Sequence, residues 1–135
     1  MTKISKTYKP TQKEKFMNAK MKEYFRQKLE NWKIGLLKES NQTINNLQTD
    51  NETKADMTDR ASEEIDRTFE LRARDRERKL INKINSALKR IEDGSYGYCE
   101  ETGEPIGLKR LEARPVATLS LEAQEMHEKA EKRLN

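Results

Sequence analysis

The side chains best suited to chemistry are scarce in this chain. Cys99 is the single cysteine and His127 the single histidine of 135 residues. A structural zinc site takes four thiolate or imidazole ligands at close spacing, so these two cannot build one. Nucleophilic catalysis is no better served, because no serine or cysteine has a histidine base that the sequence places beside it. There is no glycine-rich phosphate loop. Cys99 reads as a small buried apolar side chain, and His127, flanked by Glu125, Glu128 and Lys129, as an exposed helix residue. Nothing here supports an enzyme. Two carboxylates remain. Asp56 and Asp59 are three apart, so at a helix start they face roughly the same way. Asp56 suits an N-cap, and Asp59 at the third helical position suits the helix dipole. The other reading is that the pair, carried at the end of a probe, meets a metal ion or a partner's cationic surface.

What would position them is a pair of long helices. Residues 48–58 hold almost no apolar side chains and read as a polar turn. Before it, Met21, Phe25, Leu29, Trp32, Leu36, Leu37, Ile44 and Leu47 recur at helical spacing, with Asn18 as the helix-start candidate and Thr11 and Glu14 spaced for a capping-box turn. After it come Ala61, Ile65, Phe69, Ala73, Leu80, Ile84, Leu88 and Ile91, ending at Gly94, a C-terminal cap. The fold class expected is mainly α: a long antiparallel coiled-coil hairpin over residues 16–93, with its tip about 48–60 and a dry seam. A basic tail, residues 1–15, precedes it. Residues 94–120 read as a small globular domain with short strands near 95–99 and 116–119 and one helical turn over 108–113. Residues 121–135 form a last helix, capped by Ser120, with Leu121, Met126 and Ala130 facing inward.

Composition agrees with long solvated helices. Only 33% of residues are apolar and 39% are charged, well below the ~45–50% apolar share of a compact globule. No apolar run approaches the ~18 residues of a membrane span, and Met1–Lys6 lacks a signal peptide's apolar stretch, so a cytoplasmic protein is expected. The net charge of +4 is unevenly placed. Residues 1–50 hold 11 Lys/Arg against 5 Asp/Glu, residues 51–93 balance at 11 each, and residues 94–135 hold 6 against 8. A lysine-rich solvated helix face accounts for this as well as nucleic-acid binding does.

Several stretches resemble the DksA family of bacterial transcription factors that bind RNA polymerase. They are Asp56-Met-Thr-Asp59-Arg60-Ala61, Glu70-Leu-Arg-Ala-Arg-Asp-Arg-Glu-Arg-Lys79-Leu80-Ile81, Gly97-Tyr98-Cys99-Glu100, Gly103-Glu-Pro-Ile-Gly107 and Arg110-Leu-Glu-Ala-Arg114-Pro115. The similarity runs from about residue 16 to 130. It implies a coiled-coil finger that enters the polymerase's secondary channel and modulates initiation at rRNA and amino-acid promoters in the stringent response. It implies as tip contacts Asp56, Asp59 and Ala61, and as a shaft contact Arg76. It also implies a site for guanosine tetraphosphate (ppGpp), shared with the polymerase, at Leu80, Lys83 and Arg114; a third basic position of that site is matched by Gln124. The four zinc-ligand positions of the family are matched by Cys99, Thr102, Ser120 and Ala123, so the chain resembles its single-cysteine, zinc-independent branch. No bound cofactor or zinc is expected, and the protein is expected to be a monomer without membrane or sequence-specific DNA binding. The rival readings are a transcript-cleavage factor, whose acidic tip would help hold a catalytic Mg²⁺, and a basic coiled-coil nucleic-acid binder.

Overall fold

The computed structural model describes the backbone of residues 3–53 and 57–134, and the side chains of residues 3–40 and 61–134. Four helices follow in order: α1 (Ala19–Thr53), α2 (Met57–Asp93), α3 (Leu108–Ala113) and α4 (Leu121–Leu134). The chain divides into two compact units, Asn31–Ile84 and Met1–Glu30 with Asn85–Asn135. Both long helices contribute to each unit.

The second of these units is built from the ends of α1 and α2 and the short elements around them. Asn18 starts α1, its Oδ1 accepting the Met21 N–H at 2.9 Å. The earlier Thr11–Glu14 pair closes only a turn: Glu14 accepts the Thr11 N–H at 2.9 Å and the Tyr8 hydroxyl. Between them Met17 is buried against Gly97, where an added Cβ would come within 2.9 Å of the Met17 side chain. Gly97 also holds φ +91°, so both the space and the backbone demand glycine there. Met21, Phe25, Leu29, Ala87, Tyr96 and Leu111 form the core. The Tyr96 hydroxyl is satisfied inside it by donating to the Pro115 carbonyl at 2.8 Å. Gly94, at φ 86°, ends α2 with the Ser95 and Tyr96 N–H groups both on the Arg90 carbonyl.

Two expectations fail in this unit. No strand forms among the described residues; the region holds one isolated antiparallel bridge, Tyr98–Pro105. The backbone bonds Cys99 N–H to Glu104 O, Ile106 N–H to Gly97 O and Glu100 N–H to Thr118 O are too scattered for a ladder. The last helix is capped by Ser120 as expected, with Oγ accepting the Ala123 N–H at 3.2 Å. Its inward face was misjudged, however: Leu121, Met126 and Ala130 are exposed and Ala123 alone is buried. Burial on α4 is confined to its first turn.

In the Asn31–Ile84 unit the two helices run antiparallel, with Ser40 Oγ of α1 donating to Glu77 Oε2 of α2 at 2.5 Å. The seam differs from the expected one. On α2 the less exposed positions include Glu63, Arg67, Glu70, Arg74, Glu77, Ile81 and Ile84, an alternation of four and three, with Leu80 half-buried beside Ile81. Ile65 and Phe69 are 59% and 64% exposed instead. The reason lies in helical geometry. Steps of four advance ~40° around a helix each time, so the series 61, 65, 69, 73 winds away from a partner. Alternate steps of four and three hold one face towards it. Carried up from Ile84, that rhythm lands on charges. Ile44 and Leu47 of the α1 stripe lie outside the described side chains.

Candidate functional site

Helix lengths govern where the tip residues fall. α1 continues to Thr53 and α2 begins at Met57, so the connection is shorter than the 48–58 turn read from polarity. Residues such as Gln48 and Asp50 are helical although none adds to an apolar stripe. Asp56 lies outside the described residues, as does the side chain of Asp59, whose backbone belongs to the first turn of α2. Ala61 follows on the same helix and is exposed.

Further along α2, Arg76 is exposed and enters no ion pair among the described residues. Its neighbour Glu77 is taken by Ser40. Leu80 is half-buried and Lys83 exposed, three residues apart on one helix. They belong to the Asn31–Ile84 unit, whereas Arg114 belongs to the other. Gln124 directs its amide to Glu128 at 3.3 Å, an exposed contact within α4.

Arg114 extends from a backbone fixed on both sides. It caps α3, its N–H bonding the Arg110 carbonyl at 2.7 Å. Two residues before it, Glu112 is clamped by α1: Tyr24 donates to Oε2 at 3.1 Å, and Lys28 Nζ donates to Oε2 at 2.7 Å and to the Glu112 carbonyl at 3.2 Å. Burial, then the Glu112 carboxylate, pushes the Tyr24 phenol up to about 12, so it stays a hydrogen-bond donor at physiological pH. On the other side Tyr96 holds the Pro115 carbonyl. The guanidinium itself is exposed. A flexible side chain on a fixed stem is a suitable grip for an anion. Sequence reading missed this clamp, because Tyr24 and Glu112 are 88 residues apart and neither belongs to a local motif.

Cys99 is buried, as expected. Burial alone would raise its thiol. Hydrogen bonds from the Thr102 side chain and from the backbone of Ser120, Thr102 and Glu101 outweigh that and bring it down to about 6. These donors belong to the two segments, 99–102 and 120–123, where the resemblance places the metal-ligand positions. A zinc ion does not fit the side chains present. Thr102 bonds to the thiol, Ser120 Oγ is engaged as a helix cap, and Ala123 offers only a methyl group. Among the described residues no group of three or more His, Cys, Asp or Glu side chains could hold a metal. The segments are joined again by His127 of α4, which pairs with Glu101. That contact, absent from the sequence reading of His127, raises the imidazole's pKa through the Glu101 hydrogen bond and charge.

Two long helices, two short ones and a single buried cysteine define a mainly helical fold. Residues 21–91 match the family model "DnaK suppressor protein DksA, N-terminal domain", and residues 94–129 match "Prokaryotic dksA/traR C4-type zinc finger". The chain belongs to the DksA family. It is 62% identical over 125 residues to the RNA polymerase-binding transcription factor DksA of Caulobacter vibrioides NA1000, covering 93% of this chain and 88% of the relative. It is 43% identical to the protein of the same name from Escherichia coli K12, covering 90% and 80%. Among solved structures, transcription factor DksA2 from Pseudomonas aeruginosa superposes with a TM-score of 0.81 at 43% identity, over 87% of this chain and 90% of that one. No described helix is long and apolar enough to cross a membrane.

Proposed function

We propose that this protein binds bacterial RNA polymerase directly as a monomer and regulates transcription initiation, without catalysis of its own. The observation that carries the proposal is the 62% identity, over 93% of the chain, to a relative named for that activity. In this reading the helical finger enters the secondary channel, and Asp56, Asp59 and Ala61 approach the polymerase active-site region. Arg76 contacts the polymerase along the shaft. Lys83 and Arg114 each offer a cation to the phosphates of ppGpp, with Leu80 alongside; the polymerase supplies the remainder of that site. Gln124 adds no charge, which weakens the attraction for the alarmone. The base works without zinc, its segments held by the Cys99 hydrogen bonds and core packing.

The test is initiation in vitro at a ribosomal RNA promoter, with and without the protein and ppGpp. Reduced initiation that deepens with ppGpp is expected; unchanged output would overturn the reading. Shortening of the transcript in a backtracked complex would indicate the cleavage-factor alternative. Replacing Lys83 or Arg114 with Ala is expected to reduce the ppGpp-dependent part while polymerase binding, measured by competition, persists. Equal loss of both would assign these residues to the protein interface instead.

A further inference from the structure

α2 of the Asn31–Ile84 unit inverts the usual coiled-coil pattern, with charges towards its partner and large apolar side chains outside. At ~100° per residue, Ile65, Phe69, Arg72, Arg76, Lys79 and Lys83 fall within about 80° of one another. All six are exposed, Phe69 most conspicuously at 64%. The acids of this stretch lie elsewhere: Glu63, Glu70 and Glu77 face the seam, and Glu64, Asp66 and Asp75 point about 80–100° from the centre of the face. None of the four cations enters an ion pair among the described residues. The helix thus carries one acid-free line, apolar and aromatic at one end and wholly basic at the other.

We propose that this face binds single-stranded nucleic acid without sequence preference, Phe69 stacking on a base while Arg72, Arg76, Lys79 and Lys83 follow the phosphates. The four cations succeed one another every ~4.5–6 Å along the helix. A flexible strand can bring successive phosphates opposite them, and every base offers a π-face to an exposed ring. A duplex keeps its bases stacked and would leave Phe69 unused. An acidic protein helix would satisfy the cations, but Phe69 would then require a pocket on that partner. The binding needs no polymerase, so it stands apart from the function proposed above.

The experiment is fluorescence anisotropy of a labelled oligothymidylate with the free full-length protein across a salt series. Four phosphate contacts predict that log K falls with log salt at a slope of about −3. Phe69→Ala should weaken binding roughly 5- to 150-fold and leave the slope unchanged. Arg72→Gln with Lys79→Gln should flatten the slope by about 1.4. Arg78→Gln with Lys89→Gln removes the same charge from the other side of α2 and should alter neither quantity. Circular dichroism melts establish that each variant folds. Four results would each overturn the proposal: no saturable binding, equal losses from the two charge pairs, equally tight binding of a duplex whatever stands at position 69, or Phe69-dependent binding of an acidic helical peptide in place of the oligonucleotide.

Discussion

Cys99 has the donors of a metal knuckle around it but none of the three further thiolates that would share an ion. Its backbone and Thr102 bonds favour the charged form, so the thiol falls from its ordinary 9.0 to about 6. A depressed pKa stabilises the fold above the unfolded value, and that stabilisation is lost as pH falls towards the folded one. Between about pH 9 and pH 6, acidification should therefore lower the melting temperature. His127 works in the opposite direction, because Glu101 raises its pKa and the benefit fades as pH rises through that value. The His127–Glu101 pair is about half exposed, so solvent screens it and its contribution is small. The buried thiolate should win. Thermal melts across this range are expected to show a rise with pH in the native protein that Cys99→Ser removes and His127→Ala leaves in place. An identical pH profile for Cys99→Ser would mean the thiol is neutral in the fold. Chelator should leave the native melt unchanged, and one equivalent of zinc by elemental analysis would contradict the donor argument.

At the scale of the helix, the seam of α2 sets stability along the finger. Ile81 and Ile84 pack at one end, while Glu63, Arg67, Glu70, Arg74 and Glu77 occupy the equivalent positions beyond. One carboxylate oxygen of Glu63 and one of Glu70 are buried without a hydrogen-bond partner among the described residues. A buried polar atom left without a partner costs about 1–3 kcal/mol, so replacing such a group by an apolar side chain should stabilise the helix pair. Glu70→Leu combined with Arg74→Leu should therefore slow amide exchange in α2 by about tenfold or more. Removing both charges together avoids stranding one of them. Faster exchange would show that the charged seam holds the helices together better than leucine does. The same positions explain what could be read in advance. Helix number, the Asn18, Gly94 and Ser120 caps and the α3 turn follow from local rules, and local rules are visible in sequence. The seam of α2 did not, because hydrophobicity points to Ile65 and Phe69 while helical geometry selects the charged series. The exposed side of α4 was hidden for a related reason: an apolar stripe marks a face able to pack, but on α4 only Ala123 of the first turn is buried. Arg114 could be named by resemblance, but the Tyr24–Lys28–Glu112 clamp that fixes its backbone depends on tertiary contact alone.

For the whole molecule, the decisive question is whether the finger's end acts or merely reaches. Asp59 belongs to the first turn of α2, where a carboxylate interacts favourably with the helix dipole by about 0.3–1 kcal/mol. Asp59→Asn keeps the size and the ability to accept a hydrogen bond, so the melt should shift little. Polymerase affinity should also hold, since in the proposed reading the shaft contributes contacts that the Asp59 substitution leaves untouched. Regulation should nevertheless collapse, because in the proposed reading the Asp59 carboxylate approaches the active-site region and acts through its charge, which Asn lacks. Asp56→Asn should be milder, since Asn caps a helix about as well as Asp does. Melting, competition binding and promoter output measured on one Asp59→Asn preparation separate the possibilities. Full output would reduce Asp59 to a helix-start residue. Lost binding would make the tip an anchor. Intact folding and binding with output abolished is the result expected if the finger delivers a charge to the place where the polymerase works.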